Sequence, residues 1–137
     1  MKFLLDTNTC IHFLNRTHTG IGQRVISYGR KSIGTSSIVI EELLYGAYRS
    51  ARLDENLQQI HLFATAFDVR PFDMQAAHES ARIRSHLATI GQAIGPFDNL
   101  IAAVALAQGA TLVTHNLREF QRVPELRIED WQRSGTL

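Results

Sequence analysis

Cysteine is nearly absent from this 137-residue chain, and what is missing bounds the problem before any motif is read. A lone Cys10 cannot close an internal disulfide, so packing has to hold the core and a reducing compartment is the expected setting. The longest apolar run, Leu100 to Ala107, is 8 residues, against the ~20 that a membrane-spanning helix needs. The N-terminus, Met1-Lys2-Phe3-Leu4-Leu5-Asp6, meets an acid after three apolar residues, which is not a secretory leader. A soluble, cytoplasmic protein is predicted. With 9 Gly, 3 Pro, 45% hydrophobic and 20% charged residues, collagen-like, low-complexity and disordered classes are excluded. An excess of one charge is also missing: 14 basic against 13 acidic residues leave a net +1, which by itself demands no polyanionic partner. Lysine is the scarcest base. Only Lys2 and Lys31 occur and the other twelve basic residues are Arg, the better side chain for forked contacts to phosphate or carboxylate.

The charges that are present are uneven. Residues 1–52 hold seven basic and three acidic groups, +4, and residues 53–137 hold seven and ten, −3. Short β-like runs alternate with helical runs, without linker or repeat, and the length suits one domain over 1–137. Lys2–Leu5 reads as a buried strand ending at Asp6-Thr7-Asn8-Thr9, all residues that favour helix caps and turns. Helices are expected at Cys10–Leu14, about Ile21–Tyr28, and Ile38 to about Arg52, the last after a strand at Ser32–Thr35. Asp54 is expected to cap the next helix. A short extended run at Val69–Phe72 precedes a long helix from Asp73 to Ile90, with the apolar line Ala76, Ile83, Leu87 and Ile90. Pro96 opens a helix whose body, Leu100–Ala107, is apolar on every face. Gly109 closes it. Strands are then expected at Ala110–Thr114 and Leu126–Ile128, around a short helix or turn at Leu117–Phe120, with a polar tail to follow. Strands separated by helices imply an α/β fold: a central parallel sheet flanked by helices.

Three acids stand where such a sheet places its sites, at the carboxyl ends of strands. Asp6 directly follows the first strand, and it has an equally plain reading as a helix N-cap. Asp98 lies in the first turn of an otherwise apolar helix, where the helix dipole alone would favour an acid. An acid entering the interior needs a partner, and no Lys follows Lys31; Arg or a metal ion remains. Carboxylates drawn together repel unless a cation holds them, and a hard divalent ion suits oxygen ligands. Glu42 lies off the core stripe of Val39, Ile40, Leu43, Leu44 and Ala47, so periodicity reads it as solvated, with Gly46 leaving open space one turn on. His residues 12, 18, 61, 78 and 86 show no metal-ligand spacing. Cys10 reads as a small core residue, and Trp131 as packing.

Four segments in order resemble a known family: Leu4-Leu5-Asp6-Thr7-Asn8; Glu42-Leu43-Leu44-Tyr45-Gly46; Gly95-Pro96-Phe97-Asp98 with Ile101-Ala102-Ala103; and Leu112 to Phe120, Leu-Val-Thr-His-Asn-Leu-Arg-Glu-Phe. Together they are similar to the PIN-domain ribonucleases, more closely to VapC-type toxins, over nearly the whole chain down to Leu126–Trp131. The resemblance implies a single PIN domain with a three-layer fold. It implies a metal-dependent endoribonuclease that cuts structured RNA (tRNA or rRNA), arrests translation and is silenced by a VapB-like antitoxin. It also implies a homodimer, and Mg²⁺ or Mn²⁺ held by Asp6, Glu42 and Asp98. Glu42 becomes a ligand through the resemblance alone.

Two departures matter. Many PIN domains carry a further Asp where this chain has Asn116, and Glu119, one helical turn on, is the candidate replacement for the missing carboxylate. Close VapC sequences commonly have Asn where this chain has His115, which could add a proton carrier or be a surface residue without a role. Two rivals remain. Phosphoryl transfer through an aspartyl-phosphate at Asp6 would need a later lysine than this chain supplies. A non-catalytic PIN-like module binding RNA or antitoxin is opposed by the acidic trio.

Overall fold

Residues 1–132 are described by the computed structural model. Phe3–Leu5 forms β1, every residue of it buried. Because successive side chains point to opposite faces, both faces of the sheet here must be covered. β2 (Ile33–Ser36) and β4 (Thr111–Val113) are equally buried, β3 (Asp68–Arg70) is half-buried, and β5 (Ile128–Glu129) lies at the edge. All neighbours pair in parallel, in the order β3-β2-β1-β4-β5. The chain adds strands to one side of β1 and then crosses to the other, so the order reverses between β1 and β4. Crevices at such reversals are where ligands bind in parallel sheets. Gly34 in β2 is obligatory: a Cβ there would stand 2.5 Å from the carbonyl oxygen of Asp68 on β3 and would also strike the Met1 sulfur.

Among the described residues seven α-helices cross between the strands: α1 (Thr7–Leu14), α2 (Thr19–Tyr28), α3 (Ser37–Tyr48), α4 (Leu53–Ala66), α5 (Met74–Thr89), α6 (Pro96–Ala107) and the single turn α7 (Leu117–Phe120). This is the α/β architecture expected. The α5–α6 pair packs most extensively, and α3 leans on both α1 and α4. Ile101 through Ala105 are buried, as an all-apolar helix body requires. Gly109, with φ 63°, turns the chain from α6 towards β4.

Several boundaries differ from the pattern. α1 begins at Thr7, three residues before the expected start, because Asp6 caps it by accepting the Thr9 N–H at 2.9 Å. α3 ends at Tyr48 and not near Arg52: the Ser50 hydroxyl donates to the Ala47 carbonyl at 2.7 Å and the last turn tightens. α4 starts at Leu53 with Arg52 in the cap position, which places Asp54 inside the first turn, where the dipole favours it, and not at the cap. Ile90 ends α5 and is 51% exposed, so the apolar line stops at Leu87. The last strand is shifted to Ile128–Glu129 by its pairing with Leu112 and Val113. From residue 133 on, the expected polar tail lies outside the described residues.

Trp131 is buried. It stacks on Tyr28 with ring centroids 5.6 Å apart and meets the Phe3 ring edge-on at 5.0 Å. Its indole N–H donates to Glu129 at 3.0 Å. The packing reading of this residue holds, and so does that of Cys10, buried against the Leu5 carbonyl.

Candidate active site

The carboxyl end of β1 delivers Asp6 to the reversal between β1 and β4. Its backbone N–H continues the sheet to the Val113 carbonyl, 3.0 Å away. Its buried carboxylate accepts from Thr9 on one side and from the Thr114 hydroxyl, at the end of β4, on the other. Burial pushes its pKa above the ordinary value despite these bonds. Capping and membership of an acidic site are thus compatible roles for one residue.

Glu42 is half-buried, not solvated as its wheel position implied. The hydroxyl of Thr7, in the first turn of α1, donates to Glu42 Oε1 at 2.5 Å and ties α3 to the β1 end. No atom lies within 4 Å of a Cβ built on Gly46, so the open space expected there exists. A cavity of about 180 Å³ lies between α1, α3 and α4, lined by Glu42 and Gly46 together with apolar Ile11, Leu43 and Ile60.

Asp98, in the first turn of α6, is strongly perturbed as well. Burial and then the charge of Glu119, with smaller contributions from Asp6 and Glu42, raise its pKa from 3.8 to about 7. The four carboxylates therefore converge closely enough to feel one another. Glu119, brought in by α7, is its mirror image. Its Oε1 accepts the Gly95 N–H at 2.6 Å and its Oε2 accepts from the Asn116 amide at 2.6 Å. Those donors, the Gly95 N–H foremost, hold its pKa below the ordinary glutamate value. The two carboxyls are therefore pushed apart: Asp98 keeps its proton more readily, and Glu119, with two donors to stabilise its charge, gives its proton up more readily. Gly95 leaves room for both: a Cβ there would stand 3.4 Å from Asp98 Oδ2 and 3.6 Å from Glu119 Oε1.

The structure therefore brings together the three acids that the resemblance singled out, and Glu119 with them. Sequence reasoning assigned no role to Thr7 and Thr114, whose hydroxyls hold Glu42 and Asp6. The available signal was a Thr just past the end of two adjacent strands. Among the described residues no three acidic, His or Cys side chains are placed so that they could hold a metal ion as they stand; Glu42 and Glu119 are each engaged by protein donors. The donor set nevertheless fits a hard divalent ion. It is all oxygen, and burial, followed by the charge of Glu119, raises the Asp98 pKa to about 7, a penalty on its ionised form that a cation would relieve.

The family model described as "PIN domain" matches residues 3–126. The chain is 41% identical over 131 residues to the tRNA(fMet)-specific endonuclease VapC of Salmonella typhimurium, covering 96% of this chain and 98% of that one. It is 33% identical to ribonuclease VapC2 of Rickettsia felis, covering 97% and 100%. The solved structure of DNA-bound VapBC from Salmonella typhimurium superposes with a TM-score of 0.90, at 41% identity over 96% of this chain and 98% of that one. VapBC2 of Rickettsia felis, bound to a promoter DNA fragment, gives 0.85 at 32% identity, covering 96% and 99%.

Proposed function

The chain belongs to the PIN-domain family as a VapC-type ribonuclease, and from that premise we propose that it hydrolyses phosphodiester bonds in structured RNA at the Asp6–Glu42–Asp98–Glu119 cluster. The observation that carries the reading is the convergence of these acids at the sheet's reversal point, with the Asp98 pKa raised to about 7 by burial first and by the Glu119 charge next. Divalent-metal dependence is general to the family; Mg²⁺ or Mn²⁺ is the ion we assign here.

Asp6, Glu42 and Asp98 would hold it. Once bound, such an ion neutralises charge building on the scissile phosphate and acidifies the attacking water. The chain's own residues set the stage for that. Thr7 and Thr114 fix the carboxylates of Glu42 and Asp6. Asn116 and the Gly95 N–H hold Glu119 ionised beside Asp98, from which position it can orient a water. Glu119 in this account supplies the charge that Asn116 does not.

A tRNA is the substrate class we favour, because the 41%-identical relative is named for tRNA(fMet). A VapB-type antitoxin is the partner, since the solved relatives are VapBC complexes. The cavity beside Glu42 combines a carboxylate with apolar walls. It suits an antitoxin segment in which Arg, whose fork matches paired carboxylates, follows an apolar side chain. A homodimer completes the assembly in this reading.

The test is cleavage of purified tRNA with chelator, then with Mg²⁺ or Mn²⁺ restored. Cleavage is expected only with metal, and only without antitoxin. Cleavage that persists in chelator refutes the mechanism; RNA binding without any cleavage would favour the non-catalytic module instead.

A further inference from the structure

A histidine–carboxylate pair stands on the rim of the acidic cluster and has no part in the chemistry described so far. His115 directly follows Thr114, the residue whose hydroxyl reaches Asp6. Its Nδ1 lies 2.8 Å from Asp130 Oδ2. The two ends of this contact differ sharply: the Asp130 side chain is 16% exposed and the imidazole 65%. Asp130 is itself anchored, its Oδ1 by the Gln132 N–H at 3.0 Å and its carbonyl by Arg24 at 3.3 Å. A fixed carboxylate thus holds an exposed ring. With Nδ1–H donating to Asp130, the outer nitrogen, Nε2, is left for a ligand, and when the ring is protonated Nε2 is a donor.

The surroundings place this ring at the site. Asp130 is close enough to Asp6 for its charge to add to the upward push on that carboxyl, after burial. From α1, His12 titrates below the usual histidine range, through burial first and the charge of His18 next; Asp6 opposes this and His115 adds to it. His12 and His18 are in edge-to-face contact with centroids 4.3 Å apart, and His12 also bonds the Thr17 hydroxyl at 2.7 Å. His12 thus lies near both Asp6 and His115, with His18 packed against it. A polyanion approaching the acidic cluster is repelled unless cationic groups on the rim contact its phosphates, and such contacts set position more than sequence.

We propose that His115, held by Asp130, is a substrate-contact residue that donates Nε2–H to a backbone phosphate of the RNA flanking the scissile bond, with Asp130 as its positioning residue. This rests on the ribonuclease reading above.

Binding of a fluorescein-labelled RNA stem–loop to full-length Asp98→Asn protein, in chelator at pH 5.5 over a salt series, tests the contact. His115→Gln should weaken binding about threefold to tenfold and flatten the slope of log affinity against log salt by about 0.7–0.9. His115→Arg should restore both, and Asp130→Asn should fall between. In the otherwise unaltered enzyme, His115→Gln should raise KM more than it lowers kcat. An unchanged salt slope in a His115→Gln protein with an unaltered melting temperature overturns the proposal. So does a fall in kcat at constant KM, which would make His115 a proton donor. Metal-dependent cleavage by the unaltered protein is scored separately. A protein that cleaves but shows no slope change fails this inference alone, and one that neither cleaves nor binds RNA fails both.

Discussion

Replacing Asp98 by Asn should abolish cleavage and yet make the metal-free protein more stable. The reason lies in the position of the Asp98 proton. An ordinary aspartyl pKa is 3.8 and that of folded Asp98 is about 7, through burial first and the Glu119 charge second. Below about pH 4 the group is protonated in folded and unfolded chains alike and contributes no difference. Between about 4 and 7 the unfolded chain releases the proton while the folded chain keeps it, so stability falls as pH rises. Above about 7 the folded chain must ionise Asp98 against its neighbours, and the whole cost is incurred. The gap between 3.8 and about 7 corresponds to roughly 4 kcal/mol as a ceiling. Asp98 is only half-buried, and solvent screening brings the expected value to about 1–2 kcal/mol. Asn keeps the shape without the charge. In chelator at pH 8 the variant should therefore melt about 3–8 °C above the unaltered protein. The gap should shrink steadily towards pH 4.5. Mn²⁺ should raise the melting temperature of the unaltered protein more than that of the variant, because only the former keeps the full ligand set. Thermal melts followed by circular dichroism give all three quantities. A variant that melts at or below the unaltered protein at pH 8 in chelator refutes the account of like charges held together without a cation.

Three further outcomes are expected. Glu119→Gln should lower cleavage about 10- to 100-fold, as losses around a metal site do, and shift the Mn²⁺ dependence upward. Asn116→Ala should do less, since its amide only supports Glu119 Oε2; superimposable Mn²⁺ titrations for Glu119→Gln and the unaltered protein would remove Glu119 from the site. Gly95→Ala puts a methyl group in contact with Asp98 Oδ2 and Glu119 Oε1 at a backbone φ of −55° that any residue accepts. Activity should drop about tenfold with the melting temperature nearly unchanged, and full activity would show that nothing needs the space between those oxygens. Trp131→Ala removes a buried ring stacked on Tyr28 and edge-on to Phe3 and should cost about 3–5 kcal/mol in urea unfolding; a change under 1 kcal/mol would contradict its place in the core.

Much of the protein was legible along the chain, for reasons that are local. Lys2–Leu5 and Ala110–Thr114 read as buried strands because each is a short, mostly apolar or β-favouring run bounded by cap and turn residues. α5 and α6 read as helices from their spacing, and Pro96 and Gly109 marked the ends of α6 through backbone geometry that needs no distant partner. Asp6 and Asp98 were conspicuous because an acid stood against apolar sequence. Local signals stopped short wherever a tertiary partner decided. α3 ends at Tyr48 through a Ser50 hydroxyl that Asn56 of α4 also engages. Ile90 left the apolar line because α5 had run out of neighbours to cover it.

Glu42 shows the division most clearly. A helical wheel knows only its own helix, and on it Glu42 faced outward. The surface it meets is Thr7 of α1, 35 residues earlier in the chain, and only the parallel pairing of β1 with β2 brings α1 and α3 side by side. The same holds for the proton on Asp98 and the ionised state of Glu119, which sit 21 residues apart in sequence and share one environment through Gly95. The sequence by itself determined which residue types were available, the periods that make the strands and helices, and the absence of lysine where a phosphate or carboxylate would otherwise be neutralised. The tertiary structure alone decided which of those acids meet and which hydroxyls hold them, and how far their charges interact. Electrostatic coupling depends on distance and burial, and neither is a property of position along the chain.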